Sequence, residues 1–398
     1  MTEPLKPVDL VPRFHNQGYT ADDVAARRAW VEARTGAMLP IVAAFAIPSE
    51  QMRGNVENPI GAVQMPLGVA GPLAIHGGHA DGVFYVPLAT TEGALVRSYE
   101  RGMIALTRAG GVFARVLRDG NVIAPVFVLE DAAAAVAFAE KVAADVAAIK
   151  TDAESTTTHG RLTSVTPRPA GRDVIVEFHY ETGDAQGMNM IAAATDRACR
   201  GLVERHGPAR FLQFSGLSSE KRASGALLAG GKGKTVTAAA RVPAAILTSH
   251  LHAGAEQIAD TWRRSVIGHL HAHSVGFNAQ YANGLAALFI ACGQDVANVA
   301  NAAVGVTDFE AIDGDLHASV TLPALTVATV GGGTALGTSR ECLELLGCSG
   351  SGRARKFAEI VAATLLAGEL SMAAAIASGE FVDAHETYGR NRPGRTDR

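Results

Sequence analysis

FYVPLATTEGALVRSYERGMIAL, residues 84–106, passes from strand to helix within a few positions. Residues 83–86 are β-rich. Thr90 and Thr91 then offer N-cap hydroxyls, and Leu95, Tyr99, Met103 and Leu106 recur as one face of a helix. Glu92 is therefore expected in the first helical turn. An acid there complements the helix dipole, which is a common structural use. Strand-to-helix junctions are also where α/β proteins place chemistry, which makes a carboxyl held over a cleft the sharper but, for Glu92 taken alone, less common alternative.

Working outward, the flanks imply a larger assembly of elements. At 398 residues the chain exceeds one compact core, and two or three domains are expected. Residues 1–56 read as an arm with one helix, opened by a Thr20/Asp23 capping box and closed by Gly36. Prolines 59, 66 and 72 with glycines 61, 68 and 71 then interrupt regular structure. Beyond residue 121 the pattern is strand 122–129, helix 131–150, strands 161–166 and 173–181, helix 189–206 and strand 211–214. That order, βαββαβ, is ferredoxin-like. The expected fold is α+β: a large mixed α/β domain, 57–123 and 216–398, with an inserted ferredoxin-like domain, 124–215. The large domain resumes with strand 234–241, helices 244–267 and 279–292, a β-rich run 316–330 after the Asp313-Gly314 turn, and helix 353–378.

Composition excludes several classes. A net charge of −4 gives no general attraction to nucleic acid or an anionic membrane. Cys199, Cys292, Cys342 and Cys348 form no CxxC pair, which argues against a disulfide framework or zinc site and suits a reducing cytoplasm. The start, MTEPLKPVDL, lacks the pattern of a signal peptide, and Glu369 interrupts the apolar run 361–377, so no membrane span is expected.

Some motifs carry no chemistry. GGKGKT, 230–235, has Leu228 where a phosphate-binding loop needs glycine, and GGGT, 331–334, fails the dinucleotide spacing at Leu336. His269, His271 and His273 have no acid or cysteine at ligand spacing, so no metal is expected. DAQGMNM, 184–190, is more promising. It lies between a strand and a helix, where Gly187 permits close approach and the helix start offers N–H groups to a pyrophosphate; the structural alternative is a capped turn. SSEKRASG, 218–225, is either a solvated turn or a source of fixed cations. Asp295 follows a helix end, where an acid opposes the dipole.

These motifs occur in a telling order: ENPIGAVQMPLGVAGPL (57–73), PLATTEGALVRSYERG (87–102), DAQGMNM, SGLSSEKRASG (215–225), GFNAQYAN (276–283), ACGQD (291–295), TVGGGT (329–334) and AGELSMAAAIASGEFVDAH (367–385). Together they resemble the 3-hydroxy-3-methylglutaryl-CoA (HMG-CoA) reductase family, in its soluble prokaryotic form of the class I type, over roughly 330 residues, far beyond motif coincidence. The resemblance implies reduction of HMG-CoA to mevalonate and CoA, or its reverse, with two nicotinamide dinucleotides. It implies Lys221 as the cation for the developing oxyanion and Asp295 as the group coupling Lys221 to Glu92. Glu92 would donate the proton of the second reduction, and His385 would protonate the departing thiolate. Ser215, Glu220, Arg222 and Asn278 would bind substrate. Asp184, Gln186, Gly187, Met188 and Asn189 would bind the nicotinamide cofactor in the inserted domain. It also implies a homo-oligomer, a dimer or multiple of dimers, with active sites shared between subunits. Two alternatives are a CoA- or nucleotide-binding homologue that has lost catalysis, and another CoA-thioester enzyme such as a lyase.

The departures from the family pattern matter as well. Gln186 replaces a methionine, and Glu220 and Arg222 replace Asp and Lys. Ile123 stands where an arginine usually meets the substrate, so another cation is needed there. A Ser-Arg pair that helps hold a 2′-phosphate becomes Thr157-Thr158. Class membership favours NADP(H) and the lost arginine favours NAD(H), for whose ribose Asp152 or Glu154 is a candidate; NADP(H) is the expectation.

Overall fold

The computed structural model describes residues 10–208 and 210–382, and the statements below concern those residues. α1 (Ala21–Thr35) begins at Thr20, whose side chain accepts the Asp23 N–H while Asp23 accepts the Thr20 N–H, and it ends at a left-handed Gly36. α2 (Pro40–Ala43) completes the arm. The buried Arg27 donates to the carbonyls of Pro12, Gln17, Gly18 and Pro59, tying α1 to the segments on both sides of it.

The large body starts with the hairpin β1 (Leu67–Gly77) and β2 (Asp81–Ala89), then α3 (Leu95–Arg108) and β3 (Val112–Ile123), which runs parallel to β1. The chain then builds β4 (Val126–Val128), α4 (Ala132–Ala144), α5 (Val146–Glu154), β5 (Arg161–Ala170), β6 (Asp173–Glu181), α6 (Met188–His206) and β7 (Arg210–Leu212). It returns through β8 (Gly233–Val242), α7 (Ala244–Ile246), α8 (Ala255–His271), α9 (Tyr281–Ala291), α10 (Val299–Ala302), β9 (Val306–Ile312), β10 (Asp315–Leu325), α11 (Gly337–Leu345) and α12 (Ala354–Ser378).

The main sheet runs β2-β1-β3-β8-β10-β9. Asp313 and Gly314, both left-handed, turn β9 into β10 as their sequence suggested. The smaller sheet runs β7-β4-β6-β5 with antiparallel neighbours, an order compatible with the expected βαββαβ unit. Its alternating Val174, Val176, Phe178 and Tyr180 form a second core with residues of α4, α5 and α6.

β3 belongs to both sheets. Residues 113–120 pair with β8, and Asn121, Val122 and Ile123 pair with β6. The single strand expected over 122–129 is therefore the end of β3 followed by β4. Pro125 lies between them and has no N–H for a ladder. The expected helix 131–150 also divides, at Asp145, whose carboxylate accepts from Arg205 at 2.7 Å and meets His206 at 3.0 Å. The expected helix 244–267 breaks at left-handed His252, whose ring is held 2.7 Å from Glu380.

α3 starts later than its sequence implied. Its N-cap is left-handed Ala94, without a side-chain cap, so Thr90 and Thr91 do not cap it. Thr90 Oγ1 instead accepts the Glu92 N–H at 3.0 Å, and Glu92 stands in the turn before the helix. The predicted apolar face, Leu95, Tyr99, Met103 and Leu106, is buried in the main core.

α12 is the central helix. By length and composition it would suffice to cross a membrane, contrary to the sequence expectation, yet here it is buried among β3, β8, β10, α3 and α9. α3 approaches it closely because Gly102 faces the Ala367 carbonyl, leaving no room for a Cβ. Its two buried acids are satisfied within the protein. Glu359 accepts from the N–H groups of Gly78, His79 and Ala80. Glu369 accepts from Ala279 N–H (2.8 Å), Gln280 N–H (2.7 Å) and the Thr307 hydroxyl (2.8 Å).

Glu369→Ala strands those buried donors, so urea unfolding should show a loss of about 2–4 kcal/mol. Burial pushes the Glu369 carboxyl above its usual value, against the opposing hydrogen bonds of Ala279, Gln280 and Thr307. A carboxyl raised in the folded state supports folding below its unfolded value and loses that support as pH rises through the folded one. The stability of the wild type relative to Glu369→Gln should therefore decline as pH is raised from 4.5.

Candidate active site

A cleft of about 790 Å³ is lined by the 326–336 segment, which carries the GGGT run, and by three further loops. The first precedes α6 and contributes Gln186, Gly187, Met188 and Asn189. Gly187 is the N-cap of α6 in a left-handed conformation, and a Cβ there would meet Thr182 at 2.7 Å. No side chain caps this 19-residue helix, so its first N–H groups are available to an anion in the cleft. Asp184 does not join them. Its carboxylate accepts from Gly352 N–H at 2.7 Å and Ala354 N–H at 3.1 Å, capping α12 from the other sheet's domain. The capped-turn alternative is not formed at α6, whose N-cap is Gly187 without a side-chain bond. Burial tends to raise the Asp184 carboxyl, but the Gly352 and Ala354 N–H groups and Lys234 outweigh it and hold it below the usual range.

The second loop carries Glu220 and Lys221. Ser219 and Lys221 are both left-handed, at φ 53° and 54°, a strained conformation for residues with a Cβ. Lys221 Nζ lies 2.8 Å from Asp295 Oδ2. That hydrogen bond raises the Lys221 pKa, partly offset by burial, so the ammonium is the held form. Glu220 Oε1 accepts from Gln186 Nε2 at 3.3 Å, and its other oxygen pairs with Lys232. Ser215 does not reach the cleft: its hydroxyl donates to the Ala124 carbonyl at 2.7 Å. Arg222 is exposed and outside the lining.

The third loop, Gly293 to Asp295, follows α9. Asp295 does not oppose the α9 dipole, because left-handed Gly293 ends that helix and Asp295 N-caps the next turn, accepting the Ala297 N–H at 3.2 Å. Gln294 fixes the loop by exchanging hydrogen bonds with the Ala328 backbone.

Glu92 lies elsewhere. It lines a separate cavity of about 390 Å³ with Ser98, Arg101, His250, Met372 and Phe381. Its carboxylate accepts from Asn283 Nδ2 at 3.4 Å. Within one chain the structure therefore joins Lys221 to Asp295 but not to Glu92. Asn278, expected to bind substrate, spends its amide on the Ala303 and Gly305 carbonyls and the Tyr281 N–H, bracing α9 instead. Thr157 is likewise occupied, accepting from the His159 and Gly160 N–H groups in a turn that packs on Met190 at the cleft edge, while Thr158 Oγ1 lies 2.9 Å from His159 Nδ1. Asp152 is paired with Arg197 and Arg205, and Glu154 with Lys150 and the Leu162 N–H. Ile123 is fully buried in the second core. His385 lies outside the described residues. Among the described residues no cluster of three or more metal-type side chains occurs. Sequence reasoning missed Asn283 and Lys232. For Asn283 the available signal was its place one turn into the GFNAQYAN helix; for Lys232 no local signal marks its burial.

The family model described as Hydroxymethylglutaryl-coenzyme A reductase matches residues 23–390. The 3-hydroxy-3-methylglutaryl-coenzyme A reductase of Methanothermobacter thermautotrophicus is 44% identical over 371 residues, covering 92% of this chain and 93% of that protein. The Haloferax volcanii reductase is 44% identical over 388 residues, covering 95% and 96%. The class II reductase of Streptococcus pneumoniae, bound to NADPH in open conformations, superposes with a TM-score of 0.65 at 20% identity, over 88% of this chain and 96% of that one.

The Asp184 contact makes a stability prediction. Asp184→Asn should cost about 1 kcal/mol at neutral pH, as other lost helix caps do. The Asp184 pKa is depressed by folding, so its contribution is present above 3.8 and disappears as pH falls through the folded value. Urea unfolding of wild type and variant should converge in that acid range.

Proposed function

Because the chain belongs to the hydroxymethylglutaryl-coenzyme A reductase family, we propose that its oxidoreductase chemistry, HMG-CoA to mevalonate and CoA or the reverse, runs in sites completed by a second copy of the chain. One observation carries this. Asn283, the partner of Glu92, sits near the start of α9, and Asp295, the partner of Lys221, lies beyond its end. At 1.5 Å per residue those ends are separated by roughly 12 Å or more, whereas a proton donor and a charge-stabilising cation must both reach one reacting group within about 3 Å. A neighbouring subunit's Glu92 answers that requirement.

In this reading Lys221, kept protonated by Asp295, stabilises the oxyanion that develops when the thioester carbonyl is reduced. Glu92 supplies the proton when the intermediate aldehyde becomes an alcohol. His385 protonates the departing thiolate. The nicotinamide dinucleotide supplies hydride when bound. The uncapped α6 start and Gly187 suit its pyrophosphate, with Gln186, Met188 and Asn189 around it. Free, buried Cys199, Cys292, Cys342 and Cys348 support a cytoplasmic setting.

For the cofactor, NADP(H) is the better supported form. The acids an NAD(H) ribose would need, Asp152 and Glu154, are engaged in ion pairs. Thr157 and Thr158 supply no cation, so the 2′-phosphate rests on weaker or more distant partners such as exposed Arg161.

The primary assay is nicotinamide absorbance with HMG-CoA. Lys221→Ala and Glu92→Gln should each be inactive alone. Co-refolded as a mixture, they should recover about a quarter of wild-type activity, since half the dimers are mixed and each has one intact site. No recovery would rule out the shared site.

Cofactor choice is read from kcat/KM for each dinucleotide at one pH. NADPH should be preferred by about tenfold, one hydrogen bond's worth of discrimination. A strong NADH preference would overturn the assignment.

A further inference from the structure

The GGKGKT segment that fails as a phosphate loop contains two buried lysines. Lys234 has a structural role: its Nζ lies 3.1 Å from Asp119, which also meets Arg355 of α12 at 3.1 Å. Lys232 is placed differently. It is 1% exposed, ion-paired with Glu220, and its Nζ is 3.4 Å from Met188 Sδ. The same two loops are joined again by Gln186 Nε2 to Glu220 Oε1. Asn121 Nδ2 completes the group, donating to the Gln186 carbonyl at 2.9 Å and meeting Met188 Sδ at 3.5 Å. Glu220 is adjacent in the chain to Lys221, and both residues line the cleft.

We propose that Lys232 is a positioning residue for the reduction: it holds Glu220 against the 186–188 loop, leaving Lys221 directed to Asp295 and the reacting oxygen, and so couples the nucleotide site to the oxyanion site.

The charges around the cleft explain why such a residue is needed. Glu220 and Asp295 are both within electrostatic reach of Lys221. Lys232 and Lys221 balance Glu220 and Asp295, so the quartet is neutral. Without Lys232 the group carries a net negative charge beside a cleft that must accept a pyrophosphate and an oxyanion, and both would be repelled. Glu220 would also be released to compete with Asp295 for Lys221. Lys232 is too buried to meet a ligand itself, and its burial is costly: desolvation lowers its pKa, Lys221 lowers it further, and Glu220 pulls it back. A residue serving only as filler could be apolar at lower cost. Gln186, Met188 and Asn121 complete its surroundings and carry no charge.

The test uses the full-length enzyme with HMG-CoA and NADPH, and compares Lys232→Met, Lys232→Arg, Glu220→Gln and the double variant Lys232→Met/Glu220→Gln. The proposal rests on Lys221 acting at the oxyanion, and the inactivity of Lys221→Ala tests that separately. Lys232→Met should lower kcat by roughly tenfold or more and weaken NADPH binding in a fluorescence titration. Adding Glu220→Gln restores the charge balance and should recover NADPH affinity while kcat stays low, because the two loops are no longer joined through Glu220, and Lys232→Arg should retain most activity. If Lys232→Met does not fold, the double variant, which removes both charges, carries the decision. A folded double variant with wild-type kcat would overturn the proposal, as would independent, additive losses of kcat from Lys232→Met and Glu220→Gln.

Discussion

The carboxylate of Glu369 is the contact on which the arrangement of the cleft and of the Glu92 cavity depends. It is buried in the middle of α12 and is held by two N–H groups just before α9 and by Thr307 of β9. An anion at a helix start satisfies orphan donors and meets the favourable end of the dipole, which offsets part of the cost of burying a charge. The result fixes where α9 begins. From that point one face of α9 presents Asn283 to Glu92, and its far end delivers Gly293, Gln294 and Asp295 to the cleft. A single buried acid thereby sets where α9 meets Glu92 at one end and where it leads to Asp295 at the other.

The smaller sheet is tied to this framework in two physically distinct ways. β3 runs through both sheets, so its backbone hydrogen bonds fix the register of β6 relative to β8. Asp184 then clamps the loop before α6 to the start of α12. The α6 N-terminus is held by a strand on one side and an ionic cap on the other. Between those ties lie Gln186 and Met188, the residues that contact Glu220 and Lys232. The uncapped α6 start is consequently tied to the same framework as Lys221.

Local signals were legible where neighbouring residues determine the conformation. The Thr20/Asp23 capping box, the Asp313-Gly314 turn and the Leu95-to-Leu106 face all depend on nearby side chains and appear as read. The α3 start was misplaced because Thr90 and Thr91 look like caps, whereas a left-handed Ala94 delays the helix. β9 went unread because its inward side offers only Thr307 and Ala311 beside Phe309 while apolar Val306 and Ile312 face outward, which weakens the alternation. The roles of Asp184, Asn278 and Lys232 were hidden for a common reason. Each is defined by a partner well removed in the chain: α12, the 303–305 backbone and Glu220. Motif spacing identifies residue types that suit a reaction, but does not distinguish the side chain that touches substrate from the one that braces its neighbour.

The exposure of the Lys221–Asp295 pair bears on assembly. In the single chain these side chains are 46% and 35% exposed. A charge pair open to water stabilises an oxyanion weakly, because solvent screens it and must reorganise as charge develops. The same geometry in a covered, low-dielectric site is worth several kcal/mol more. Within the described residues the pair stays partly open to water, while the arm presents Met38 and Ile41 at 85% and 71% exposure and Val63, just beyond it, at 89%. Apolar side chains that open to water favour burial against another surface. A second copy that buried the arm and brought its Glu92 to the cleft would exclude water from Lys221 in the same step. Oligomerisation would then be part of the catalytic electrostatics, and the strength of the Lys221 interaction would depend on the contact that also supplies the proton donor.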